Sequence, residues 1–114
     1  MDKNLRQDAE RIISDSIKAV LPDEAVLRAL KDFSPGKGRV LLAAAGKAAW
    51  QMARAAVEAL GHVDGGVAVT KYGHIMGEIP NVSCFEAGHP VPDSNSFAAT
   101  DRVLSMVRGL SEDD

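Results

Sequence analysis

Cysteine is almost missing from this 114-residue chain: Cys84 stands alone between Ser83 and Phe85. A single thiol cannot close an internal disulfide or furnish a multi-cysteine zinc site. A reducing cytoplasm is the expected compartment. Aromatic residues make up only 4%, so packing must rest on Leu, Val, Ile and Ala. Lys and Arg number 13 against 16 Asp and Glu, for a net charge of −3, and no basic block occurs. That balance excludes the electrostatic footprint of a nucleic-acid-binding surface. No apolar run approaches the ~20 residues of a membrane span. The opening Met1-Asp2-Lys3-Asn4 has no apolar signal segment, so no membrane partner is expected. Two nucleotide motifs are missing as well. A Walker A loop ending at Gly46-Lys47 requires Gly at position 41 and Ser or Thr at 48, where Leu41 and Ala48 stand. No G-x-G-x-x-G follows an apolar run, and there is no nucleophile-elbow pattern.

What is present is ordinary for a globular domain: 46% hydrophobic and 25% charged residues. A chain of this length can bury roughly 65% of its unfolded surface. Leu5, Ala9, Ile12, Ile13, Ser16, Ile17 and Val20 recur at spacings of three and four, which predicts an amphipathic helix. Pro22 and Asp23 open a second helix with Ala25, Val26, Leu27, Ala29, Leu30 and Phe33 as its apolar set. Ser34 to Gly38 is a loop. Val40 to Ala45 is apolar at every position, as in a strand covered on both faces of a parallel sheet.

A helix is expected from about Lys47 to Leu60, stopped by Gly61, with Ala49, Met52, Ala53, Ala56, Val57 and Leu60 facing the sheet. Val67 to Thr70 and Val82 to Ala87 predict two further strands, separated by a polar loop. Asp93 or Ser94 caps a last helix that buries Phe97, Thr100, Val103, Leu104, Val107 and Leu110. The expected fold is α/β: a Rossmann-like open, mainly parallel sheet flanked by helices. Residues 1–38 form an N-terminal helical segment and 39–114 a partial βαβ-type unit. The acidic ending stops where another strand would follow, so an incomplete N-terminal portion of a larger domain is expected. Its open sheet edge could pair with a second copy as a homodimer.

Three turns carry candidate chemistry. Open α/β sheets bind ligands beyond the carboxyl ends of their strands. At the first such end, Ala45-Gly46-Lys47-Ala48 joins a strand to a helix. Gly46 permits close backbone approach to an anion, and Lys47 adds an ammonium beside a helix N-terminus that already favours negative charge. A lysine in a first helical turn is otherwise mildly unfavourable; the plainer alternative is a solvated side chain. At the second, Thr70-Lys71-Tyr72-Gly73-His74 offers Lys71 and His74 as anion partners; the alternative is a connecting loop. At the third, Glu86-Ala87-Gly88-His89-Pro90-Val91-Pro92-Asp93 places His89 in a proline-stiffened loop. Cys84, His74 and His89 follow no metal-ligand spacing, so no metal site is assigned. Trp50 is assigned to packing.

The runs Ala44-Ala45-Gly46-Lys47-Ala48-Ala49, Val69-Thr70-Lys71-Tyr72-Gly73-His74 and Glu86 to Ser94 resemble the amino-terminal part of the glycerate 2-kinase family, the type II glycerate kinases with an associated MOFRL domain. Members of that family are often labelled hydroxypyruvate reductases. The resemblance covers nearly the whole chain. It implies phosphorylation of D-glycerate on its 2-hydroxyl with ATP and Mg²⁺, in a cleft between a Rossmann-like domain and a smaller second one. It makes Lys47 the catalytic candidate. Gly46, Lys71, His74 and His89 are substrate- or phosphate-binding candidates from their placement. Because family members are several times longer, the chain alone is expected to be inactive. Two other readings are an NAD(P)H-dependent hydroxypyruvate reductase and a non-catalytic α/β interaction module.

Overall fold

In the computed structural model, residues 3–114 are described; the Met1-Asp2 opening used in reading the amino terminus lies outside the described residues. The apolar run at 41–45 forms β1 (Leu41–Ala45), followed by β2 (Gly65–Lys71) and β3 (Val82–Ala87). These pair in the order β1-β2-β3, all parallel. Four helices accompany them: α1 (Lys3–Val20), α2 (Asp23–Leu30), α3 (Ala49–Leu60) and α4 (Ser94–Met106). The α/β class and the parallel sheet are as the sequence predicts.

The core lies between α3 and the sheet. Ala53, Val57, Val63, Ala68 and Ile79 are buried there, with Leu42, Trp50, Leu60 and Val82 packed against them. The alanines of α3 let its backbone approach the strands, since they bring little side-chain bulk. Trp50 packs as expected, and its indole N–H donates to the Gly77 carbonyl at 2.9 Å. Gly61 N–H closes the last turn of α3 on Val57 O at 2.9 Å. α2 lies along α3, where Asp23 accepts hydrogen bonds from Gln51 at 2.5 Å and Arg54 at 2.6 Å.

Several packing expectations fail. α3 packs on one face of β1, whereas α4, on the sheet, packs on β2 and β3, so Ala43 and Ala45 are exposed and the covering of β1 is one-sided. α3 begins at Ala49, which leaves Lys47 in the preceding turn and outside the first helical turn. Met52 is largely solvent-facing. Ala99 is the one buried residue of α4 and Val103 is half-buried, while Phe97, Thr100 and Leu104, with Val107 and Leu110 beyond the helix, are exposed. α1 buries none of its residues, and Leu5, Ile12, Ile13 and Ile17 all face outward. Among the described residues no helix is long and apolar enough to cross a membrane.

The last residues return to the amino end of β1. Gly38 N–H donates to Asp113 O at 2.9 Å, and Arg39 pairs with the Asp114 carboxylate through its Nη2 at 2.9 Å and its Nε at 3.2 Å. These bonds hold the Asp114 carboxyl well below the usual carboxylate range.

Candidate anion-binding edge

Parallel pairing puts the carboxyl ends of β1, β2 and β3 on one edge, so the turns after Ala45, Lys71 and Ala87 are neighbours. The first turn is fixed from β2. Gly46 N–H donates to Val69 O at 3.0 Å, and the buried Thr70 hydroxyl donates to Lys47 O at 3.3 Å. Gly46 has φ +126°, a conformation open to glycine and strained for other residues. Both bonds engage backbone atoms, which leaves the Lys47 side chain exposed and uncommitted to the fold.

The two helix starts on this edge differ. α3 begins after Ala48, which gives no side-chain cap, so its first N–H groups are not met by a capping side chain. α4 is fully capped: Asp93 Oδ1 accepts from Ser96 N–H at 3.1 Å, and Ser96 Oγ accepts from Asp93 N–H at 3.0 Å. A carboxylate already meets the positive end of α4. The positive end of α3, with Lys47 beside it, is the one open to an external anion.

Two depressions flank this turn. One, of about 370 Å³, is lined by Gly46, Lys71, Gly88 and His89, with Ser96 and Thr100 from α4. The other, about 150 Å³, is lined by Lys47, Gln51, Gly73 and His74. The structure therefore brings all five candidates to one edge but divides them into two sets. Gly46, Lys71 and His89 lie on the α4 side, and Lys47 and His74 lie over the start of α3. A larger groove, about 1020 Å³, runs from Ile75 to Cys84 with Glu78 as its only ionisable lining residue apart from the Cys84 thiol. It offers no cation to an anionic ligand. Cys84 lies in that groove, His74 and His89 in the two depressions, so the three do not share a pocket. Burial pushes the Cys84 thiol up, which makes it a poor nucleophile.

Around the site is a hydrogen-bonded set missed in the sequence. Tyr72 OH donates to Asp93 Oδ2 at 2.5 Å, Asn95 Nδ2 donates to Tyr72 OH at 2.8 Å, and Gly73 N–H donates to Glu86 Oε2 at 2.6 Å. The Asp93-x-x-Ser96 spacing signals the cap; nothing local signals the phenol. The Tyr72 hydroxyl, with backbone bonds from Gly88 and Ser96, lowers the Asp93 carboxyl from 3.8 to about 2. Its folded value lies below its unfolded one, so it contributes stability above pH 3.8 that is lost as the pH falls through about 2. Asp93→Asn keeps a capping side chain but removes the charge. The gap in Tm between wild type and Asp93→Asn should be widest above pH 3.8 and close towards pH 2. A gap independent of pH, measured by thermal melts across that range, would contradict the assignment.

Residues 8–114 match the model of a family described as a domain of unknown function, DUF4147. The chain is 49% identical over 113 residues to a D-glycerate 2-kinase of Thermotoga maritima, covering 98% of this chain and 27% of that protein. It is 36% identical to a putative hydroxypyruvate reductase of Agrobacterium vitis, covering 99% of this chain and 25% of that one. The crystal structure of a glycerate kinase from Thermotoga maritima superposes with a TM-score of 0.82, covering 99% of this chain and 27% of the other. A Pyrococcus horikoshii protein of known structure gives 0.76 at 37% identity, covering 100% and 28%. The chain thus spans about a quarter of the length of the relatives it matches.

Proposed function

This chain belongs to the DUF4147 family, and from that premise we propose that it supplies the acid-binding side of a D-glycerate 2-kinase. The observation that carries the reading is the gathering of Lys47, Lys71, His74 and His89 around one parallel-sheet edge, beside an uncapped helix start. Lys47 is proposed as the catalytic residue. Gly46, Lys71, His74 and His89 are proposed to receive the glycerate carboxylate and the phosphoryl oxygens. Names of relatives add support: two of them, from Thermotoga maritima and Pyrococcus horikoshii, are glycerate 2-kinases.

ATP with Mg²⁺ supplies the transferable phosphoryl group when bound. The 370 Å³ cleft is at the small end of ligand sites, which span ~300–1,000 Å³. It suits a three-carbon acid and not a whole nucleotide, so the adenine is proposed to lie on parts of the enzyme beyond these residues. Among the described residues no three His, Cys, Asp or Glu side chains gather as a metal cage. Magnesium is commonly carried on phosphate oxygens with one or two carboxylates. What this chain's residues do is hold the acid, orient its 2-hydroxyl and offset negative charge, which is most of what phosphoryl transfer asks of a protein.

The test is a pair of assays on the complete enzyme that carries this segment. One supplies ATP and D-glycerate, the other NAD(P)H and hydroxypyruvate. Phosphorylation without reduction is expected, and the 114-residue chain alone should be inactive. Reduction of hydroxypyruvate without kinase activity would overturn the reading in favour of the name borne by the Agrobacterium relative.

A further inference from the structure

The ladder between β2 and β3 ends at the Lys71–Ala87 pair. Past that pair β2 gives way to the loop with Tyr72, Gly73 and His74, and β3 to the loop with His89. The contacts joining these loops are then made by side chains. Asp93 is the hub. One oxygen accepts the Tyr72 hydroxyl at 2.5 Å, the other accepts Ser96 N–H at 3.1 Å, and Gly88 N–H also bonds to the carboxylate. Asn95 donates to the phenol oxygen at 2.8 Å, and Glu86 takes Gly73 N–H at 2.6 Å. Tyr72 is half exposed and lies outside the buried cluster, so its ring adds little to the core. Its polar end, in contrast, joins two segments 21 residues apart.

We infer that Tyr72 is a positioning residue: its phenol, latched to Asp93 at the cap of α4, holds the Tyr72–His74 loop that follows Lys71 against the His89 loop and so sets the width of the anion cleft. Its role in turnover rests on the kinase reading; the latch itself does not. A charge-assisted hydrogen bond of this length is strong and directional, and it lies where backbone pairing no longer fixes the spacing. The groups facing the phenol are Asp93, Glu86 and Asn95. The first two disfavour its ionisation, so the latch keeps its proton well into the alkaline range.

Tyr72 is the only tyrosine of the chain, so ultraviolet absorbance of the phenolate reports on it alone. In Asp93→Asn the phenolate should appear at lower pH than in wild type. In Tyr72→Phe, which keeps the ring, amide exchange at Gly73 and Gly88, whose N–H groups bond to Glu86 and Asp93, should accelerate about tenfold or more, while Val67 and Val69 in β2 stay within about twofold. In the complete enzyme, Tyr72→Phe should raise KM for D-glycerate about fivefold with a smaller fall in kcat, the signature of weakened substrate positioning. Uniform exchange across the chain, or unchanged exchange in both loops, overturns the latch. Loosened loops with wild-type KM overturn the positioning role. If wild-type enzyme does not phosphorylate glycerate, the kinase reading fails separately, and exchange and phenolate absorbance still decide the latch.

Discussion

On the proposed kinase reading, Lys47→Ala in the complete enzyme is expected to lower kcat/KM for D-glycerate phosphorylation by about 10²–10³-fold, the loss typical when one preorganised electrostatic partner of a transition state is removed. Three observations concentrate the effect on this residue. It stands at the uncapped start of α3, where backbone N–H groups and the helix dipole already favour negative charge. Its carbonyl, and not its ammonium, is used by Thr70 to fix the turn. Its side chain is exposed and lines the depression it shares with His74. The variant should therefore fold normally, with stability within about 0.5 kcal/mol of wild type. Phosphoryl transfer spreads charge over the equatorial oxygens, so the loss should fall more on kcat than on KM. Lys47→Arg keeps the charge but changes its shape and reach, and should recover only part of the rate. Wild-type kcat/KM in a folded Lys47→Ala enzyme would remove Lys47 from the chemistry.

How far this site was legible in the sequence differs from residue to residue. The turn at Gly46-Lys47 was visible because an apolar run ends in glycine and is followed by an alanine-rich helical pattern. Both signals are local. Strand polarity then placed Lys71, His74 and His89 on the same edge, because short βα connections between parallel strands leave little choice. Periodicity did not show which faces are covered. β1 reads as doubly buried, yet Ala43 and Ala45 are exposed because α3 packs on one face of β1 while α4 packs on β2 and β3. α4 has apolar residues on more than one face, and the residue it buries is the small Ala99, while Phe97 and Leu104 are exposed. The Tyr72–Asp93 bond was illegible for another reason: it joins two loops whose approach depends on the β2–β3 register, and no pattern within either loop encodes it.

Gly88→Ala is expected to destabilise the fold by about 2–4 kcal/mol, a fall in Tm of roughly 8–17 °C for a domain of this size. A Cβ at position 88 would sit 2.4 Å from Val91 O and 3.0 Å from the Asp93 carboxyl carbon. Neither neighbour is free to retreat. Val91 lies between Pro90 and Pro92, whose rings restrict the backbone, and Asp93 is held by Tyr72, Ser96 and Gly88 itself. The glycine at 46 makes a useful contrast. A Cβ there meets nothing within 4 Å, so Gly46→Ala bears only the strain of its positive φ, about 1–3 kcal/mol. The two variants should therefore fail differently. Gly46→Ala should leave the Tyr72 phenol in its native environment, whereas Gly88→Ala should displace Asp93 and bring phenolate absorbance to lower pH. A Gly88→Ala protein that melts within about 2 °C of wild type and keeps the wild-type phenolate titration would show that the loop relaxes freely. His89 would then not be held at a fixed place in the cleft, and its part in binding the anion would have to be given up.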